Sequence, residues 1–347
     1  MHISDLDTPA YITDLDVMER NIKGMASRCD DLGIPLRVHT KSHKIPEIAH
    51  KQVDAGAIGI ACQKVGEAEA MVAGGIKDIL IPYNIVGDQK IERLTRIARR
   101  ATITVALDSQ AVASGIDEQA RKDDCQIRVI IELDTGSNRC GVQSPEAAVE
   151  LAKKISDMPG LDFKGIMTYP SRPEAKTFLD RTRALLDAAG IPAEMVSGGG
   201  TGSEENSRDL GCTETRSGSY LWEGMTRIGH SDHLNPERCA CRMIVTVVSV
   251  PTADRMIIDG GMKTFTSYPP TPYGHIVGHP DAKMYGMSVE HGHIDISACD
   301  HKFKVGERLM VIPLHQEMCL NLHDELVAVR NGNVEAMWPV AGRGKVK

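Results

Sequence analysis

His315, Glu317, Cys319, Asn321, His323 and Glu325 occupy every second position of PLHQEMCLNLHDELV. Alternation at that period predicts a β-strand with all six side chains on one face. Val311, Ile312 and Pro313 before it, and Leu326, Val327 and Val329 after it, read as buried. Imidazole, carboxylate and thiol groups gathered on one face suit a divalent cation. His315 and Glu317, at i and i+2, fit a site with open positions for water and substrate. Such a pair favours Zn²⁺ or Mn²⁺ over a closed structural site, which would be richer in cysteine. Asn321, His323 and Asp324 could orient those ligands. The alternative is a polar strand face at a domain interface, where His and Glu pair with each other. Two ligands also need further donors from elsewhere in the chain or from a substrate.

Four other segments carry groups that could do chemistry. RVHTKSHK holds Lys41 between His39 and His43 at a predicted strand end. A buried lysine with cationic neighbours loses basicity and can form a Schiff base; the alternative is a solvent-facing lysine. In VSGGGTGS (196–203), Gly198, Gly199, Gly200 and Gly202 leave a backbone free of Cβ atoms, whose amides can converge on an anion. RSGSY, Arg216 to Tyr220, supplies a second turn at Gly218 and Ser219. One such turn says little, but two at consecutive strand ends point to phosphate. LDTGSNRCGV (133–142) sets Arg139 in a Gly-rich turn. Its guanidinium could bond a phenolate or carboxylate oxygen, or simply face solvent. The histidines of SVEHGHID (288–295) read as loop caps, and Asp259 with Lys263 as a turn salt bridge.

These groups need a scaffold. LRVHT (36–40), AIGIA (57–61), DILIP (78–82), TITVAL (102–107), QIRVIIEL (126–133), FKGIMTY (163–169), AEMVSG (193–198) and TETRSG (213–218) read as strands. Amphipathic stretches lie between them. The alternation predicts an α/β fold, a parallel (β/α)₈ barrel, with an open doubly wound sheet as the alternative. In such a barrel the C-terminal strand ends form the mouth of the active site, which brings together Lys41, Arg139 and both glycine turns. After about residue 236, CRMIVTVVSVP, DRMIIDGG, ERLMVIPL and ELVAVRNGNVEAMWPV are strands joined by tight turns, with no convincing helix. The expected domains are a barrel over 11–235 and an all-β domain over 236–347 that carries the metal face. Residues 1–10 are open to joining the second.

A net charge of −7 argues against nucleic acid or an anionic membrane as partner. No run approaches the ~18 apolar residues of a spanning helix. MHISDLDTPAYI lacks the basic and apolar regions of a signal peptide. Nine cysteines, with only Cys239 and Cys241 closely spaced, read as reduced thiols in a cytoplasm.

Taken in order, TPAYITDLDVMERNI, RVHTKSHK, CQKVGEAEA, GGIKDILIP, TGSNRCGV, KGIMTY, VSGGGTGS, GSY, DGGMK, VEHG, PLHQEMCLNLHDEL and WPVAGRGK carry a resemblance along nearly the whole chain. The chain resembles the fold-type III pyridoxal-phosphate enzymes of the D-threonine aldolase and D-serine dehydratase family. CQKVGEAEA with the HxExCxNxHD arrangement looks most like the 3-hydroxy-D-aspartate aldolase branch. The resemblance implies an alanine-racemase-type barrel with a C-terminal β-domain, and a homodimer. It implies that Lys41 is the Schiff-base lysine and that Arg139 contacts the ring oxygen of pyridoxal 5'-phosphate. Gln63 and Tyr169 would lie near the ring. Gly199, Gly200, Thr201, Gly218 and Ser219, with Tyr220 beside them, would hold the phosphate. His315 and Glu317 would be the metal ligands.

Dehydratases of this kind usually carry cysteine at the second metal position, and aldolases aspartate. Glu317 is a hard carboxylate that favours Mn²⁺ or Mg²⁺ over Zn²⁺ and tilts the expectation toward an aldolase. The implied reaction is retro-aldol cleavage of a small β-hydroxy-D-amino acid, D-threonine-like, to glycine and an aldehyde. The metal would lower the pKa of the β-hydroxyl, and the base would be metal-bound hydroxide or a nearby histidine, of which His43 is one candidate. The alternatives are β-elimination of D-serine or 3-hydroxy-D-aspartate to a keto acid and ammonia, an amino-acid racemase, and a non-catalytic pyridoxal-phosphate carrier. Against the resemblance, TYPSRPEAKT at Tyr169 looks shorter than the corresponding aldolase loop. Arg172 and Lys176 there could bind a distal carboxylate, or form a solvated basic helix start.

Overall fold

The β-branched runs become strands and the amphipathic stretches between them become helices. The computed structural model describes residues 1–225, 236–269 and 271–347. β1 (Ala10–Asp14) and α1 (Leu15–Leu32) come first. Then β2 (Leu36–His39), β3 (Gly59–Ala61), β4 (Asp78–Ile81), β5 (Thr102–Leu107), β6 (Ile127–Leu133), β7 (Leu161–Thr168), β8 (Met195–Gly199) and β9 (Glu214–Ser217) pair in sequence order, all parallel. β9 pairs back onto β2, so the barrel closes and the open-sheet alternative is excluded. α2 (Pro46–Asp54), α3 (Val65–Ala73), α4 (Asp88–Ala98), α5 (Gln110–Lys122), α6 (Pro145–Ser156), α7 (Lys176–Ala188) and α8 (Glu204–Asp209) connect the strands. The α6 sequence explains its start: Pro145 opens the first turn and the Ser144 hydroxyl accepts the Ala147 amide.

The remaining strands are β10 (Cys241–Thr252), β11 (Arg255–Ile258), β12 (Gly274–Ile276), β13 (Lys283–Met287), β14 (Gly292–Asp295), β15 (Arg308–Pro313), β16 (Glu325–Arg330) and β17 (Asn333–Pro339). With β1 they form one nine-stranded sheet, in the order β11-β14-β13-β12-β15-β10-β1-β16-β17. β1 lies antiparallel to β10 and parallel to β16. The first strand of the chain therefore belongs to the β-unit. That unit comprises Met1–Lys23 with Ser219–Arg343, and the barrel unit Gly24–Gly218 with Gly344–Lys347. The sequence reading set these limits at 11 and at 235–236, and residues 226–235 lie outside the described residues.

The helix-free expectation for the β-unit is corrected by α9 (Met262–Phe265) and α10 (Gln316–Leu320). α10 also overturns the single strand expected over 315–325. The chain leaves β15 at Pro313, turns through α10 and re-enters the sheet at Glu325. Gln316 to Leu320 contains no β-branched residue, and Gln316, Glu317, Met318 and Leu320 are good helix formers. The His315 ring caps the turn by accepting the Met318 amide. Polar alternation was present, but α-helical propensity decided the local structure.

Inside the barrel, Ala61, Leu80, Ala106, Ile130, Met167 and Met195 form a buried layer with one residue from each of six successive strands. A polar layer runs beside them. Arg37 on β2 donates to Glu214 on β9 at 2.8 Å and to Asp78 at 2.5 Å. Ser197 on β8 donates to Glu214 at 2.5 Å, and Arg216 donates to Ser197 and to the Thr168 carbonyl.

Gly165 marks a register shift between β6 and β7 and has φ +144°. A Cβ there would run into the Met195 carbonyl of β8. Gly165→Ala is expected to cost ~3 kcal/mol or more by urea denaturation. Gly33→Ala, at φ +67° with open space around it, should cost only about 1 kcal/mol. Equal losses at the two sites would contradict this assignment.

Candidate active site

The mouth of the barrel is built from the residues just past the strand ends. β2 runs into a single 3-10 turn, Thr40–Ser42, which carries Lys41. Lys41 is exposed, and no carboxylate pairs with it among the described residues. Its neighbour Lys44 is bound to the buried Glu67 at 3.1 Å. The two lysines of RVHTKSHK are thus separated: Lys44 is neutralised and Lys41 is left available. Period-2 geometry points His39 inward with Arg37. His39 Nε2 lies 3.1 Å from Gln63 Oε1, and the Gln63 amide donates to Glu67. Burial, with Lys41 and Arg216 nearby, pushes the His39 pKa well down, so its ring is neutral.

His43 does not fit the base role expected of it. Its Nδ1 accepts the Ile45 amide at 3.1 Å and its Nε2 lies 3.1 Å from Gln52 Oε1. The ring is buried and both nitrogens are engaged. Burial lowers its pKa to about 4. His43 anchors the start of α2 and thereby positions the Lys41 turn.

Arg139 pairs with Glu132, an inward residue of β6, at 3.1 Å. Its guanidinium lies 4.9 Å from the centre of the Tyr169 ring. Burial raises the Glu132 pKa, against Arg139 and Arg216, which lower it. Asp134 holds the turn before Arg139 by accepting the amides of Gly136, Ser137 and Asn138.

The two glycine turns are joined. The Gly200 amide donates to the Arg216 carbonyl at 2.7 Å, and the Gly218 amide to the Thr201 hydroxyl at 3.1 Å. Gly199 has φ +151°, and a Cβ there would sit 2.6 Å from the Arg216 carbonyl oxygen. Gly200 and Gly202 also have positive φ, so the loop backbone stays bare. The Thr201 amide has no hydrogen-bond partner among the described residues. Bare backbone with an unspent donor fits a phosphate-bearing group. Ser219 begins a short turn, Ser219–Leu221, in which Tyr220 is buried.

In the β-unit, His315 and Glu317 lie at the start of α10, not on a strand face. His315 Nδ1 takes the Met318 amide at 3.3 Å, which leaves Nε2 for a ligand bond. The ring packs edge-on against Tyr268 at 4.6 Å. Burial lowers its pKa, so the imidazole is neutral as a ligand must be, while Glu317 opposes that shift. A nitrogen and a carboxylate oxygen suit a divalent ion that keeps open positions. Cys319 and His323 both reach the Thr264 carbonyl, at 3.0 Å each, and so tie α10 to α9. They support the pair. The expected Asp259–Lys263 bridge does not form: Lys263 pairs with Glu290, and Asp259 accepts the Thr246 amide.

Glu132 is a neighbour of the site that motif reading passed over, while His39 and Arg216 lay inside quoted motifs without a role in the inward layer. The inward period-2 positions of β2, β6 and β9 would have found them. Lys176 pairs with Asp180 at 3.0 Å, which leaves Arg172 alone of the two distal candidates.

Comparison with known proteins gives a consistent picture. The alanine racemase N-terminal domain model matches residues 13–225, and a serine dehydratase domain model matches 240–329. D-threonine aldolase from Arthrobacter sp is 35% identical over 99% of this chain and 94% of its own. 3-Hydroxy-D-aspartate aldolase from Paracoccus denitrificans (strain Pd 1222) is also 35% identical, with the same coverage. D-threo-3-hydroxyaspartate dehydratase from Delftia sp. (strain HT23) is 31% identical over 89% of this chain and 90% of its own. The crystal structure of D-threonine aldolase from Filomicrobium marinum matches with a TM-score of 0.90 at 32% identity, covering 99% of this chain and 98% of that one.

The depressed His43 pKa has a pH signature. The folded state resists protonation that the unfolded chain accepts below about pH 6.5, so the unfolded state binds more protons. Stability is therefore full above pH 6.5, falls as pH drops toward about 4, and levels off below. The loss attributable to this ring is about 3 kcal/mol. His43→Gln should flatten the curve of urea midpoint against pH over that window. Parallel curves would remove the assignment.

Proposed function

The chain belongs to the alanine-racemase-like, fold-type III family that includes D-threonine aldolase and 3-hydroxy-D-aspartate aldolase, and on that premise we propose that it is a carbon–carbon lyase dependent on pyridoxal phosphate and a divalent metal. Its substrate is a small β-hydroxy-D-amino acid, D-threonine-like, cleaved to glycine and an aldehyde. The observation that carries this reading is a carboxylate, Glu317, beside His315 in a chain similar over 99% of its length to two aldolases. A carboxylate–imidazole pair favours Mn²⁺ or Mg²⁺, with Zn²⁺ as the softer alternative.

Pyridoxal phosphate supplies an electron sink for breaking the Cα–Cβ bond, and the divalent ion a Lewis acid toward the β-hydroxyl. The chain's own residues do the rest. Lys41, exposed at the barrel mouth, would hold the cofactor through its aldehyde carbon, and its amine would be the group placed to supply a proton at Cα. His39 is neutral and held by Gln63, so it adds no second positive charge next to that amine. The Gly199–Thr201 and Gly218–Ser219 turns grip the phosphate. Arg139, steadied by Glu132, holds the ring oxygen with Tyr169 alongside. His315 and Glu317 hold the metal. The homodimer is carried over from the family. The cytoplasm suits nine cysteines, none of them in a disulfide among the described residues. No described helix is long and apolar enough to cross a membrane.

The 31% identity to a dehydratase keeps β-elimination as a second reading, with keto acid and ammonia as products.

Product analysis across β-hydroxy-D-amino acids, with and without Mn²⁺, separates the two. Glycine and aldehyde are expected. Keto acid with ammonia as the main product would favour the second reading. Chelated protein should keep its cofactor absorbance yet lose cleavage, and full activity after chelation would remove the metal's role. Lys41→Ala should lower turnover by about a thousandfold or more and abolish the cofactor's Schiff-base absorbance. Wild-type turnover in that variant would remove the lysine assignment. Glu317→Gln should raise the Mn²⁺ concentration needed for half-maximal activity by about tenfold or more. An unchanged requirement would place the metal elsewhere.

A further inference from the structure

His279, His301 and Glu307 converge at the other end of β15 from His315 and Glu317. His279 lies in the turn after β12, its amide donating to the Ile276 carbonyl at 3.1 Å. His301 and Glu307 lie in the loop between β14 and β15. The ligand atoms of all three residues fall within 4.8 Å of one another. His301 Nε2 is 2.7 Å from Glu307 Oε1. The other Glu307 oxygen accepts the Lys304 amide at 3.0 Å, so the carboxylate is fixed in orientation. The two imidazoles lie 4.8 Å apart, and Phe303 packs edge-on against both, at 4.8 and 4.5 Å. That ring limits how far either imidazole can turn.

We infer that these three side chains form a second cation site, selective for zinc or another imidazole-preferring ion, with water in the fourth position. A tetrahedral zinc with bonds of ~2.0–2.1 Å needs ligand atoms about 3.3 Å apart. The His301–Glu307 pair opens from 2.7 Å to reach that spacing, and His279 closes in by up to about 1.5 Å. Two nitrogens and one carboxylate select zinc over the harder Mn²⁺ and Mg²⁺. The site is distinct from the pair on α10. Glu307 precedes β15 and His315 follows it, and at about 3.3 Å per residue the two ends lie on the order of 20 Å apart. The ion joins two segments that flank one strand pair: Ile276 of β12 faces Val311 of β15, and the Val277 amide donates to the Met310 carbonyl. A metal that binds the folded state alone stabilises that sheet in proportion to its occupancy.

The test is zinc stoichiometry on pyridoxal-phosphate-loaded, chelator-stripped protein, by equilibrium dialysis and metal analysis. Wild-type protein is expected to bind two zinc ions per chain. The double variant His279→Gln/His301→Gln should bind one fewer, lose the zinc-dependent rise in Tm from this site, and keep Mn²⁺-dependent cleavage. Glu307→Gln should weaken the same ion by at least tenfold, which covers a double variant that folds poorly. Unchanged stoichiometry and affinity in these variants would overturn the site. His315→Gln separates the two centres. If wild type binds one ion and this variant none, the second site is absent while the catalytic reading stands. If this variant keeps both ions, the α10 assignment fails instead.

Discussion

Arg37 enters the barrel with its guanidinium held between Glu214 and Asp78, and the mouth of the barrel depends on that buried ion pair. Arg37 is 6% exposed and Glu214 2%. Charges this deep lose several kcal/mol of hydration each, and removing one partner of such a pair typically costs ~3–5 kcal/mol. What the arrangement supplies is register. Arg37 sits on β2, Glu214 and Arg216 on β9, and Ser197 on β8, all linked through hydrogen bonds of 2.5–3.0 Å. Those three strands close the barrel. They also lead directly into the lysine turn and the two glycine turns, so one polar chain sets the relative heights of all three.

The electrostatics at the mouth follow from the same layer. Arg216 is fully buried, and burial lowers its pKa while Glu214 and Glu132 raise it. Its charge, with that of Lys41, helps keep His39 neutral. Glu132 in turn holds Arg139. Three carboxylates, Asp78, Glu132 and Glu214, and three arginines, Arg37, Arg139 and Arg216, therefore form a compensated lattice beneath an exposed amine. An incoming anionic group meets Lys41 and bare backbone amides rather than unpaired carboxylates.

Much of this was legible in the sequence. All eight barrel strands announced themselves because their apolar runs are short, β-branched and separated by amphipathic helices. The glycine turns were legible because only glycine tolerates φ near +118° and +151° beside another strand. The stretch from His315 to Glu325 was not, because its polar alternation also suits a capped helical turn, and Gln, Glu, Met and Leu prefer that. His43 was misread since a histidine beside a lysine looks like a base until its hydrogen bonds to Ile45 and Gln52 are seen. β12, β13 and β14 were missed because GHI, KMYGM and GHID are short and interrupted by glycine. Asp259 and Lys263 were four residues apart on paper, but the chain sends one to Thr246 and the other to Glu290.

β1 has a further consequence for how the chain comes to be. Its partners are β10 and β16, and β16 begins about 310 residues after β1 ends. During synthesis at roughly 5–20 residues per second, that first strand waits some 15–60 s for its last neighbour. The barrel strands, in contrast, run unbroken from residue 36 to 217 and can assemble as they emerge. For that interval Tyr11 and Ile12, buried in the finished fold, are apolar groups on an unpaired strand edge. Unpaired strand edges of that kind favour pairing with other chains until their own neighbour arrives.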